Sequence, residues 1–266
     1  MPAVKHVPPQ SPIPNPQSLN DPQSLNASAK EASRIAGMFD AIAGRYDFLN
    51  HLLSAGLDNR WRRQAVEVLQ LKGRETVLDL CTGTADLALA AMTGERRARR
   101  VVGIDFSAAM LQMGKTKIEG PGIALIRGDA TRIPLRDEAV DAATIGFGIR
   151  NVEEPASACR EIARVMRAGG TLVILEFSLP QSAALRNFYL WYFRNVLPLI
   201  GRLVSKHPSA YTYLPASVEA FPSPQEFSQL LRDAGFGTVR AVPLTFGVVY
   251  MFVAVKDGQD PSVIID

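Results

Sequence analysis

The sequence predicts an α/β protein: a seven-stranded, mostly parallel sheet with a C-terminal antiparallel hairpin. Three observations predict it. The apolar run Thr76-Val77-Leu78-Asp79-Leu80, a tight loop at 81–86, a helical pattern over 87–92 and the run Val101-Val102-Gly103-Ile104 make one strand-helix-strand unit, and such units build parallel sheets. Further short apolar runs follow at 123–126, 140–145 and 171–177, with helical patterns between them. The last two runs, about 238–244 and 248–255, are joined only by Thr245-Phe246-Gly247, a link too short for anything but an antiparallel pair.

Taken in order, residues 1–30 hold seven of the 18 prolines and read as a disordered tail. From residue 33 to about 70 the pattern is helical. Ile35, Met38, Phe39 and Ile42 recur at helix spacing, Tyr46, Asp47 and Asn50 interrupt the stripe, and Trp61-Arg62-Arg63 begins another helix running to about Leu69. Either a capped surface junction or a lid over a ligand mouth fits this segment. The central unit follows, then the basic run 94–100, read as a solvated loop, with contact to acidic phospholipid as the alternative. Ser107 caps a helix to about Lys117, Pro155 opens one to about Met166, and Gly169-Gly170 stops it. The 171–177 run is almost wholly apolar, so both of its faces are covered.

Residues 180–222 read as an insertion. Within 185–204 the chain is aromatic, yet Arg186, Arg194 and Arg202 recur every eight residues and Pro198 breaks the helix. Charges at a bilayer centre are costly, so a spanning helix is rejected in favour of an interfacial helix or the wall of an apolar pocket, with core packing still open. Residues 211–222 read as loop-rich. Ser223-Pro224-Gln225-Glu226 is a capping box for the last helix, which Gly235 closes, and the tail at 257–266 reads as frayed.

Composition narrows the function classes. The chain has 266 residues, is 47% hydrophobic and carries a net charge of +3, too slight to argue for nucleic acid. Cys81 and Cys159 give neither a disulfide framework nor a zinc cluster, and His6, His51 and His207 are scattered, so no metal is expected. No N-terminal stretch resembles a signal peptide, and a cytoplasmic location is expected.

Ligands of open parallel sheets sit outside the carboxyl ends of the strands. The loop 81–86, Asp105, Asp129-Ala130 and the Gly146-Phe147-Gly148 run all fall on that edge. A carboxylate about 20 residues after the first turn is placed to accept hydrogen bonds from a ribose. The loop has the single glycine Gly83 and is flanked by Asp79 and Asp86, poor company for the pyrophosphate of a dinucleotide. A ligand with a cationic end, such as S-adenosyl-L-methionine, fits better. A dinucleotide, or a plain turn with no ligand, stays open at this point.

Several runs go further. Met38-Phe39-Asp40 with Arg45-Tyr46-Asp47 and Asn50, the stretch Val77 to Asp86, Gly146-Phe147-Gly148-Ile149-Arg150-Asn151-Val152, Ala210-Tyr211-Thr212-Tyr213-Leu214 and Glu219-Ala220-Phe221-Pro222 closely resemble the ubiquinone/menaquinone biosynthesis C-methyltransferases. Five parallel strands with helices between, then an antiparallel hairpin, resembles the topology of class I S-adenosylmethionine-dependent methyltransferases, and the likeness covers about 33–256. It implies methyl transfer from S-adenosyl-L-methionine to a ring carbon of a polyprenylated hydroquinone. The Cys-x-Gly-Thr-Ala-Asp form favours demethylmenaquinol over the ubiquinone precursor. By position, Thr84, Asp105, Asp129 and Ala130 match family cofactor contacts, and Asp79 and Gly83, beside Thr84, are taken into the same cofactor site. Gly146 stands where relatives often have serine, which leaves only backbone to serve there. For catalysis, the chemistry of deprotonating a hydroquinone makes Arg150 the candidate source of positive charge, and Tyr46 and Asp47 the candidates to position the ring hydroxyl or take its proton. No histidine stands out as a base, and His207 is the weaker candidate. The prenyl tail implies peripheral contact with a membrane surface. Rival readings are a methyltransferase of this fold with another acceptor, a non-catalytic cofactor- or quinone-binding partner, and a nicotinamide oxidoreductase.

Overall fold

A computed structural model describes Gly37, Asp40, His51, Ser54 and residues 56–195 and 209–257. The expected tails at 1–30 and beyond Asp257, most of the lid, with Tyr46, Asp47 and Asn50, and the stretch 196–208 with His207 lie outside the described residues.

In chain order the elements are α1 (Asp58–Val68), β1 (Thr76–Leu80), α2 (Asp86–Ala91), β2 (Arg100–Asp105), α3 (Ala108–Lys117), β3 (Ile123–Arg127), β4 (Val140–Gly146), α4 (Pro155–Val165), β5 (Met166–Phe177), α5 (Ala183–Asn195), α6 (Ser209–Ala220), α7 (Pro224–Asp233), β6 (Phe236–Leu244) and β7 (Val249–Lys256). The seven strands form one sheet in the order β3-β2-β1-β4-β5-β7-β6. Leu78 faces Val102 on one side and Ala143 on the other, both in parallel register, whereas β7 runs antiparallel to β5 and to β6. β1 therefore sits at the switch point, between β2 and β4, where a crevice opens beyond the strand ends.

Period-two alternation divides the core. Leu78, Leu80, Leu172 and Ile174 point to the face covered by α4 and α7, where Ile162, Phe227 and Leu231 are wholly buried. Val77, Val173 and Leu175 point to the face covered by α1 and α2, against Trp61, Ala65 and Leu87. Local signals set the helix starts. Ser107 Oγ accepts the Met110 N–H, and Ser223 and Glu226 form the reciprocal capping box behind Pro224. The basic run lies in an exposed turn in which Ala98 alone is buried.

Two elements differ from expectation. β5 begins at Met166, with no loop after α4. The helix ends at Val165, so Gly169-Gly170 does not stop it: the pair lies inside β5, where Gly169 takes φ +75°, the register shifts beside Val140, and a side chain on Gly170 would stand 2.7 Å from the Asp141 carbonyl oxygen. The stretch read as loop-rich contains α6, with Pro215 inside it. Val218 is buried, and the helix packs against α5 and the 3-10 turn Ile149–Asn151, so tertiary contact overrides the breaker signal. Among the described residues no helix is long and apolar enough to cross a membrane.

Candidate functional site

The loop after β1 is held in a strained shape. Cys81, Gly83 and Ala85 all have positive φ, and two of them are not glycine. Buried polar bonds over-determine it. Thr82 N–H donates to the Ile104 carbonyl at 3.0 Å and Ala85 N–H to the Thr82 carbonyl at 2.8 Å. Asp79, 1% exposed, accepts from the Thr82 hydroxyl, from the Ala88 N–H at 3.2 Å and from the Thr144 hydroxyl at 2.8 Å. Burial pushes the Asp79 carboxyl up to about 6, against those hydrogen bonds and with added repulsion from Asp105. Asp79 thus ties β1, the loop, α2 and β4 together. Burial likewise raises Cys81 well above the usual thiol range, which keeps it an unreactive thiol.

Asp105 ends β2 beside that loop. One carboxylate oxygen accepts the Gly83 N–H and the other the Ser107 N–H, each at 2.8 Å. Burial raises its pKa, opposed by these amides and reinforced by the charge of Asp40. Asp40, from the segment before α1, accepts the Ser107 hydroxyl, so the N-terminal segment reaches the same edge. At the end of β3, Gly128 N–H donates to the Asp105 carbonyl, Asp129 is exposed and turns onto Thr131, and Ala130 is buried.

The ends of β1 and β4 approach closely. A side chain on Gly148 would lie 2.3 Å from the Cys81 Cβ, and one on Gly146 would lie 2.6 Å from Leu87 Cδ1. Arg150 follows in the 3-10 turn. Its Nη1 donates to Glu176 at 2.5 Å and to the Phe147 carbonyl at 2.6 Å, and its guanidinium carbon lies 5.4 Å from the Phe177 ring centre. Arg150 and Glu176 are both buried, so its positive charge is largely offset.

Between the loop after β1 and the end of β4 lies a small cleft open to solvent. Asp79, Gly83, Thr84 and Gly146 line it together with Arg62 and Asp86. Of the expected cofactor residues, those first four share the cleft, Asp105 holds its loop from behind, and Asp129 and Ala130 stand at the next strand end. Sequence reasoning missed Arg62, whose signal is Asp58 four residues earlier on the same helix face. It also missed Glu176, whose pairing with Arg150 spans 26 residues and leaves no local trace.

The donor set fits S-adenosyl-L-methionine. Two acids, Asp79 and Asp86, line the cleft, a side chain added at Gly83 would meet nothing within 4 Å, and the Asp105 carboxylate ends the neighbouring strand.

Known proteins were compared on this basis. A solved S-adenosylmethionine-dependent methyltransferase from Thermotoga maritima superposes with TM-score 0.59 at 19% identity, covering 84% of this chain and 100% of that one. The [4+2]-cyclase SpnF superposes with TM-score 0.60 at 17% identity, covering 85% and 96%, so the fold by itself leaves the reaction open. In sequence, the demethylmenaquinone methyltransferase of Thermus thermophilus is 47% identical over 219 residues, covering 81% of this chain and 98% of that protein. The ubiquinone/menaquinone biosynthesis C-methyltransferase UbiE of Geobacter sp. (strain M21) is 43% identical over 236 residues, covering 87% and 100%. The family model described as ubiE/COQ5 methyltransferase matches residues 27–256, and the chain belongs to that family.

Proposed function

We propose that this chain transfers a methyl group from S-adenosyl-L-methionine to a ring carbon of a polyprenylated hydroquinone, with demethylmenaquinol as the acceptor and the ubiquinone precursor as the alternative. The observation that carries this reading is the acid-flanked, single-glycine loop at the switch point, in a chain whose relatives are named for quinone methylation. The bound cofactor supplies an electrophilic methyl on a sulfonium. The chain's own part is to align the acceptor, exclude water and favour loss of the ring hydroxyl proton.

Asp105 is assigned to the ribose, Asp129 and the Ala130 N–H to the adenine edge, and Asp79, Gly83, Thr84 and the Gly146 backbone to the walls around the methionine portion. Arg150 is assigned to the ring oxygen, its charge largely offset by Glu176, so that its part is hydrogen-bond donation more than net charge. Tyr46 and Asp47 are assigned to the hydroxyl proton. Residues 33–70 serve as lid and 180–222 as the acceptor side. The acceptor's tail calls for peripheral contact with a membrane, taken as the cytoplasmic face. Two exposed apolar side chains support this: Trp191 on α5, 54% exposed, and Phe246, 86% exposed, at the tip between β6 and β7.

The test is incubation with labelled S-adenosyl-L-methionine and each reduced quinone precursor, followed by mass analysis. One added methyl on demethylmenaquinol supports the reading. Cofactor binding with no methylated quinol from either precursor overturns it.

A further inference from the structure

We infer that Arg62 is the anion subsite of the cleft, receiving the α-carboxylate of the cofactor's methionine portion, with Asp58 as its positioning partner. The inference rests on the cofactor reading above and adds a contact that the resemblance did not supply.

The cleft's charge balance leads to it. Among the described residues lining the cleft, Arg62 is the one cationic side chain, beside the acids Asp79 and Asp86. Those acids suit a sulfonium and an ammonium, but the same ligand carries a carboxylate that they repel. A subsite for the whole amino-acid end needs a cation within reach, and Arg62 is in place. Its guanidinium is a planar fork of five donors, matched to a carboxylate.

The side chain is held from behind. Trp61, the preceding residue, is 3% exposed, donates its indole N–H to Thr245 Oγ1 at 3.0 Å and packs against Phe147 and Phe177. This pins α1 beside the cleft. Asp58, one turn earlier and 4% exposed, takes Arg62 Nη1 and is itself fixed by the Ser54 hydroxyl at 2.8 Å and by His51 Nδ1 at 3.2 Å.

On the cleft side the hold is looser. Arg62 Nη2 stands 3.4 Å from Asp86 Oδ2, longer than the roughly 2.7–2.9 Å of a charge-assisted hydrogen bond, while Asp86 Oδ1 is bound by Lys117 at 2.7 Å. Lys117 therefore satisfies Asp86, and the outer edge of the Arg62 fork is within reach of a second carboxylate. Arg62 is 7% exposed, so a ligand carboxylate meets it with little competing water.

The test compares S-adenosylhomocysteine with its decarboxylated analogue by calorimetry, on the full chain. The native protein is expected to bind S-adenosylhomocysteine about 10- to 100-fold more tightly, the range for a hydrogen bond to a charged group. Arg62→Gln alone strands a buried Asp58, so it is combined with Asp58→Asn, and circular dichroism confirms folding. Arg62→Lys is the second variant, which retains charge without the fork. In the double variant the preference should fall towards unity through weaker S-adenosylhomocysteine binding, with the decarboxylated ligand bound as before. The lysine variant should keep an intermediate preference. An undiminished preference in the folded double variant, or no preference in the native protein, overturns the Arg62 assignment and leaves the cofactor reading standing. A native protein that binds neither ligand removes both.

Discussion

Asp79 and Asp105 stand on neighbouring parallel strands, and burial lifts both carboxyls above the ordinary range, yet their work differs. Asp79 lines the cleft but is also bound to Thr82, Ala88 and Thr144, so its protonation bears on loop shape and stability as well as on the ligand. Its folded pKa of about 6 exceeds the ordinary 3.8, so between these values the folded state holds a proton that the unfolded chain has released. The resulting stabilisation is fully present below 3.8 and is lost as pH rises through about 6. Relative to Asp79→Asn, the native protein should lose about 3 kcal/mol of stability across that window, measured by urea unfolding at a series of pH values. A constant difference would show that the folded pKa is not raised. Asp105 takes amide donors from Gly83 and Ser107 and stands where a ribose is assigned. Asp105→Ala should weaken S-adenosylhomocysteine binding by about 10- to 100-fold in calorimetry, and unaltered binding ends the ribose assignment.

At the scale of elements, the helices on the two faces of the sheet have separate tasks. α7 covers the face away from the cleft. Phe227 and Leu231 are fully buried there, and Phe227 packs edge-on against Phe252 at 4.9 Å. Ser223→Ala should cost about 1 kcal/mol through the lost cap, and Phe227→Ala about 3–5 kcal/mol through the cavity. Cofactor affinity should be unchanged in both, because the cleft residues Leu87 and Phe147 belong to the opposite cluster. Urea unfolding and calorimetry on the same samples check both parts; lowered affinity would mean that the faces are coupled. The same contrast explains what the sequence discloses. The capping box, the Ser107 cap, the short apolar strand runs and the acid that ends β2 are local signals, and each is found where it is expected. α6 is hidden because Pro215 is a helix-breaking signal, overridden by the contacts of the helix with α5 and with the turn at Ile149–Asn151. Arg62 reads only as part of a helix start, since its role depends on what α2 and the β4 end bring beside it.

At the scale of the molecule, the strand order delivers distant segments to one rim. α1, the loop after β1 and the β4 end meet at the cleft. β6 runs antiparallel to β7, which runs antiparallel to β5, so β6 ends on that rim too, with Leu244 paired to Val249 and Val249 to Phe177. The exposed Phe246 therefore projects from the edge at which the acceptor is proposed to enter. An exposed aromatic at such an edge suits the boundary between headgroups and acyl chains, where a polyprenyl tail is dissolved. Phe246→Ser should weaken binding to acidic phospholipid vesicles by about tenfold, on the order of the 1.4 kcal/mol that one lost apolar anchor accounts for. Its turnover with a short-chain, water-soluble quinol should match the native protein, whereas KM for a long-chain quinol presented in vesicles should rise. Vesicle sedimentation and the two acceptor assays separate the outcomes. Equal vesicle binding in the variant would remove Phe246 from the contact, and an equal loss with both acceptors would mean that the tip supports the cleft through Thr245 and Trp61 instead of touching lipid.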